Sequence, residues 1–297
     1  MVDQDFCLDL FDLDGTSISN GIPRNGFLEA SKQNKFGLIK QFIDEMEAVV
    51  DITDHFSGNT ALHEAAIEGH HKIVRLLLEN RVQVSRRNYE DFTALDIAII
   101  KGNYSCVVLL IQGGADVNPM HLSFSRSKLP LHQAAECGHM EIVKLLIWNG
   151  AIPERKDLNK KTALHYAVKS HSKDANEICE ILLKKGVDVD AQDKKVKNTA
   201  LNLALKERNE EVIQTILNFG ANAELRDEEF GTTPLETAIF LANSKAVKIL
   251  VENGLCPLRT RHLYHNSLEI SMMLYECHNK EKGQEVVKTM VYAMSKN

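Results

Sequence analysis

Apolar positions along this chain fall into short runs at helical spacing, and one pair of runs keeps returning. It is clearest between Leu129 and Ala151, where Leu131, Ala134 and Ala135 predict a first helix with a small apolar face, broken at Gly138-His139. Ile142, Val143, Leu145, Leu146 and Ile147 then predict a second helix with a broad apolar stripe, stopped by Asn149-Gly150. A hairpin this short cannot bury its own stripe. It must stack against copies of itself.

Copies are present. Thr60-Ala61-Leu62-His63, Thr93-Ala94-Leu95, Thr162-Ala163-Leu164-His165, Thr199-Ala200-Leu201 and Thr233-Pro234-Leu235 each open another such unit. The first apolar anchors are Phe27, Leu62, Leu95, Leu131, Leu164, Leu201, Leu235 and Leu268, with steps of 35, 33, 36, 33, 37, 34 and 33 residues. Several units share a Gly-His break (Gly69-His70, Gly138-His139), and endings such as Gly114 to Asn118 recur.

A period near 33 carrying T-[AP]-L-H resembles the ankyrin-repeat family. The resemblance implies an all-α fold, a solenoid of stacked helix-turn-helix units with β-turn finger connections. Residues 1–22 then form an acidic tail or linker, 23–57 an N-terminal capping repeat, 58–258 six repeats and 259–297 degenerate C-terminal capping helices. In physical terms, the Thr and His of each opening can bond side chain to backbone and tie down the turn. The Ala pair lets neighbouring hairpins approach closely, and replacing a stripe residue such as Leu145 or Leu182 by Ala is predicted to cost about 2–5 kcal/mol.

Departures from the pattern are informative. Asp96, Asn202 and Glu236 stand where other units have His, so their turns need other partners. Residues 119–128 make a long finger, and the extra residues 170–177 of the fourth repeat lengthen its helix or its inter-helix turn.

Composition narrows the function. With 44% apolar and 26% charged residues the chain has the make-up of a soluble globular protein. It has no uncharged apolar run of about 18 residues, so no membrane insertion is expected. The six cysteines are scattered without metal-ligand spacing. The acidic N-terminus lacks a signal-peptide pattern. These features lead us to expect a cytoplasmic monomer, with the nucleus as a further compartment. Residues 1–57 hold eleven Asp/Glu and four Lys/Arg, which accounts for the net charge of −6 and speaks against nucleic acid as a partner.

Two motifs invite chemistry. His63, His132 and His165 recur at one repeat position, but repeats lie about 10 Å apart, too far for shared metal ligation, so no metal or cofactor is expected. Phe11-Asp12-Leu13-Asp14-Gly15-Thr16 resembles the D-x-D-G-T segment of haloacid dehalogenase phosphatases, which implies Asp12 as nucleophile and Asp14 as acid/base. That motif needs an α/β domain after it, and here the repeats begin within a few residues. We therefore read the chain as a non-enzyme.

The resemblance further implies a concave groove lined by the finger tips and the exposed flank of each first helix, where a protein partner binds. The finger positions hold Phe56, Tyr89, Phe92 and Phe230, and the helix-flank positions hold Ile67, Ile100, Phe240 and Leu241. Apolar residues at such positions are candidate anchors. Lys160, Lys161, Lys169, Lys194, Lys195 and Lys197 form a candidate basic patch, and Asn118 resembles a site of asparaginyl hydroxylation in some ankyrin repeats. The expected role is an adaptor, scaffold or inhibitor. A host-directed effector of an intracellular pathogen would have the same fold.

Overall fold

The computed structural model describes residues 24–45, 51–120, 128–229, 231–255, 261–262, 265–266 and 280–294. The acidic tail with Asp12 and Asp14, finger residues 121–127 and Phe230 lie outside them. The helices come in pairs: α1 (Arg24–Lys32) with α2 (Phe36–Glu45), α3 (Ala61–Glu68) with α4 (His71–Glu79), and α5 (Ala94–Lys101) with α6 (Tyr104–Gln112). Then follow α7 (Pro130–Cys137) and α8 (Met140–Trp148), α9 (Ala163–Lys169) and α10 (Ala175–Lys184), α11 (Ala200–Lys206) and α12 (Glu210–Asn218), and α13 (Pro234–Phe240) and α14 (Ser244–Glu252). Two-residue strands, β1 (Arg261–His262) and β2 (His265–Asn266), pair antiparallel, and α15 (Lys280–Met294) comes last.

The chain divides into two compact units, one running to Arg126 and including Trp148–Gly150, the other comprising Ser127–Ile147 and Ala151 onward. In the first, the inner helices α1, α3 and α5 stack in series and the outer helices α2, α4 and α6 stack behind them. In the second, α7, α9, α11 and α13 form the inner series, α10, α12 and α14 the outer one, and α15 packs on α14.

The sequence explains both layers. Inner helices bury small residues, as in α3 with Ala61, Ala65 and Ala66 fully enclosed, which permits close helix approach. Outer helices α4, α6 and α8 bury the same three-position stripe: Ile73, Val74 and Leu77 in α4; Cys106, Val107 and Leu110 in α6; Ile142, Val143 and Leu146 in α8. Here the stripe is narrower than the sequence reading had it. Leu146 is fully buried, whereas Leu145 is only half-buried, because spacing of three and four residues from Ile142 and Val143 selects Leu146 and leaves Leu145 at the edge. Leu182 does occupy the core position of α10.

Gly69, Gly102 and Gly138 end their inner helices in the left-handed region, at φ of 76°, 73° and 71°. The fourth repeat has no such glycine. Its α9 stops at Ser170, and the extra residues go into the turn before Ala175. That enlarged turn presses on the preceding repeat: a β-carbon on Gly138 would lie 2.1 Å from Ser172 Cβ.

The helix starts carry the recurring polar motif. His63 Nδ1 accepts from the Thr60 amide at 3.1 Å, His132 Nδ1 from the Leu129 amide at 3.1 Å, and His165 Nδ1 from the Thr162 amide at 3.2 Å. An accepting Nδ1 places the ring proton on Nε2. That Nε2 donates to the next finger, to the carbonyls of Phe92 at 3.1 Å, Arg155 at 3.0 Å and Asn198 at 3.2 Å. Burial lowers the pKa of all three rings against the partly offsetting backbone bonds, and brings His132 down to about 4.

Where His is replaced, the turn finds other partners. Asp96 Oδ2 and Glu236 Oε2 each accept the opening amide at 2.8 Å. Asn202 is the exception. It is fully buried, and neither its Oδ1 nor its Nδ2 has a hydrogen-bond partner among the described residues.

Candidate partner-binding surface

The first finger is built around Asp54. Its Oδ2 accepts from the Phe56 amide at 3.1 Å, the Ser57 amide at 2.7 Å and Ser57 Oγ at 2.7 Å. Burial alone would raise its pKa, but these hydrogen bonds outweigh it and hold the carboxyl below its usual range, so it stays charged. The turn leaves Phe56 at the tip, 87% exposed.

The second finger is tied to the first. The Tyr89 amide donates to the Ser57 carbonyl at 2.9 Å, and Asn88 Nδ2 donates to Asn59 Oδ1 at 2.9 Å. Asn88 Oδ1 in turn accepts from the Phe92 and Glu90 amides. The Tyr89 ring lies against Gly58, where an added β-carbon would fall 2.6 Å from Tyr89 Cδ1. Tyr89 is therefore 69% exposed and yet held on a platform only glycine provides.

Of the other candidates in this unit, Ile100 is exposed at the end of α5, while Ile67 and Phe92 are half-buried. Phe92 also has a structural duty, since its carbonyl receives His63. The structure brings Phe56 and Ile67 together in one groove of about 650 Å³, between α1, the first finger and α3. Tyr89, Phe92 and Ile100 are not among its lining residues. In the second unit Phe240 is exposed at the end of α13 and Leu241 half-buried beyond it.

Among the basic candidates, Lys160, Lys169, Lys194 and Lys195 are exposed and Lys161 and Lys197 half-buried. Lys160 and Lys197 hold left-handed turns at φ of 57° and 54°. The Lys161 ammonium lies 5.9 Å from the ring centre of Tyr166, whose hydroxyl donates to Asp157 Oδ2 at 2.7 Å. Asn118 is half-buried, and its side-chain amide donates to the Gly150 carbonyl at 2.7 Å.

Among the exposed large apolar residues that the sequence reading did not single out, Trp148 stands out. Trp148 is 88% exposed at the end of α8. The signal was available, because position 148 is not three or four residues from Ile142, Val143 or Leu146, which puts it off the buried stripe.

The family model "Ankyrin repeats (3 copies)" matches residues 27–121, 120–193 and 173–260. A transient receptor potential cation channel subfamily A member 1 homolog of Caenorhabditis elegans is 28% identical over 211 residues, 71% of this chain and 16% of that protein. The E3 ubiquitin-protein ligase KEG of Arabidopsis thaliana is 27% identical over 209 residues, 67% of this chain and 13% of that protein. The chain thus spans less than a fifth of the length of these two relatives. Among solved structures, the human ASB11 ankyrin repeat domain superposes with a TM-score of 0.67 at 25% identity, covering 78% of this chain and 98% of that one. Such repeats mediate protein–protein interaction and generally form a non-catalytic binding scaffold. No helix among the described residues is long and apolar enough to cross a membrane.

Proposed function

Because the chain belongs to the ankyrin-repeat family, we propose that it is a non-enzymatic adaptor or inhibitor that grips a protein partner on the finger and inner-helix side of its N-terminal unit. The observation that carries this reading is the pair of exposed aromatics, Phe56, whose backbone is held at the finger tip by Asp54, and Tyr89, whose ring rests on Gly58 of the neighbouring finger. Large aromatic side chains presented from a pre-positioned backbone lose little conformational freedom on binding, which makes them effective anchors. Ile67 and Ile100 extend the same surface along the ends of α3 and α5. In this reading residues 23–57 cap the array, 58–258 form its six repeats and 259–297 close it, and the protein acts as a cytoplasmic monomer.

The test is capture from cell lysate by the wild type and by a Phe56→Ala/Tyr89→Ala variant. Both residues are exposed, so circular dichroism and the thermal midpoint should be unchanged. Loss of at least one specifically captured protein is expected. Equal recovery of every partner by two folded proteins would sink the proposal. A Mg-dependent phosphatase activity abolished by Asp12→Asn would overturn its non-enzymatic part.

A further inference from the structure

The groove that holds Phe56 and Ile67 has a chemical bias. Its apolar lining comes from Phe56 at the finger tip, Ile67 and Leu28. Its walls carry four carboxylates, Glu29 of α1, Asp54 of the finger and Glu64 and Glu68 of α3, against the single ammonium of Lys32. Two of these carboxylates are positioned by the protein itself: Asp54 by the Ser57 bonds and Glu64 by Asn59 Nδ2 at 2.8 Å. Glu29 and Glu68 are exposed. Among the described residues, none of the four forms an ion pair.

We infer that this groove receives a basic, apolar peptide segment of a protein partner, with Lys or Arg side chains set among the carboxylates and apolar side chains laid on Phe56 and Ile67. The inference rests on the protein-binding reading above and adds the chemistry of the occupant. Carboxylates of one sign around a concave apolar surface focus their field and draw in a cation, while a partner of like charge is repelled. The apolar lining beside them favours a cation carried by a chain with apolar residues, which a free metal ion or polyamine does not supply. The chain's own N-terminal residues fail on charge, because positions 1–23 contain five Asp and no Lys or Arg. Nucleic acid and anionic lipid fail for the same reason.

The experiment uses the full chain and three fluorescein-labelled nonapeptide pools of random order: one of Arg, Lys, Leu and Phe, one with Glu and Asp replacing the bases, and one with Ser replacing the apolar residues. Fluorescence anisotropy is read at low and at physiological salt. The basic apolar pool is expected to bind about tenfold or more tighter than either other pool and to weaken as salt rises. A Glu29→Lys/Glu68→Lys variant should lose about fivefold or more of that affinity, and Phe56→Ser a similar amount. Glu210→Lys/Glu211→Lys, the same charge change placed on α12, should stay within about twofold of wild type.

Equal affinity for the acidic or the serine pool overturns the inference, as does an equal loss in the α12 variant or no binding at about 1 mM peptide. If lysate capture still depends on Phe56 and Tyr89 while the pools show no preference, the charge rule alone falls and the protein-binding function stands. If the pools discriminate and Phe56→Ser weakens their binding while lysate capture is unaffected, the groove chemistry holds and the protein-binding reading above falls.

Discussion

A single side chain shows how narrowly the repeat motif is specified. Histidine at the fourth position of the opening does two jobs: Nδ1 closes the turn on the local amide and Nε2 reaches the following finger. Asn202 is too short to reach the following finger and, unlike the equally long Asp96, does not accept its opening amide, so its buried side-chain amide is left without partners among the described residues. Its would-be acceptor is in place, because the Thr232 carbonyl already receives the Asp227 amide at 3.1 Å, as Asn198 receives Asp193 and Phe92 receives Asn88. Asn202→His should therefore raise stability by about 1–2 kcal/mol, from two hydrogen bonds and the relief of a buried unpaired amide. Chemical denaturation measures this, and a variant no more stable than wild type would show that the pocket at α11 cannot admit the ring. The missing partner at Asn202 was visible in the sequence as a departure from T-x-L-H. The exposure of Trp148 was legible too, but only once the stripe is narrowed to Ile142, Val143 and Leu146, which leaves position 148 off its spacing.

Helices and turns carry a coarser lesson. The period near 33 was legible because every repeat must offer the same apolar face to its neighbour, so Ile, Val and Leu recur in register. Which residues of a run lie inside was less so: Ile142, Val143 and Leu146 are core, while Leu145 sits at the edge of α8 although chemically identical to Leu146. Leu182→Ala should accordingly cost about 2–5 kcal/mol and Leu145→Ala about half as much or less. Urea denaturation of the two variants checks the difference, and equal losses would contradict the narrow stripe. The groove at Phe56 was legible only in pieces. Its carboxylates come from a helix, a finger and a second helix, and nothing along the chain says that Glu29 and Glu68 border the same groove.

At the scale of the molecule, the repeated histidines couple stability to pH. Each is buried as the neutral ring, with His132 titrating near 4 when folded against 6.5 when exposed. Between those values the unfolded chain binds more protons than the folded one, so protonation favours unfolding. The contribution is complete above about 6.5 and is lost as pH falls toward 4, at about 1.4 kcal/mol per pH unit for His132. His63 and His165 shift in the same direction. Urea midpoints should therefore drop between pH 7 and pH 5, and His132→Asn should show a shallower drop from a lower starting point. A midpoint indifferent to pH over that interval would mean that the rings bind protons alike in the folded and unfolded states.

The bond from His63 to the Phe92 carbonyl also defines where the array can be cut. A fragment ending with α4 keeps both helices of its last hairpin but strips the acceptor from His63 and exposes the ring that closes its first turn. A fragment ending just before Thr93 keeps the finger, the acceptor and the stack of Tyr89 on Gly58 together. The exchangeable module of this chain therefore runs from one opening threonine to the residue before the next. Grafts or deletions made on that frame should preserve the fold where cuts between hairpins lose it.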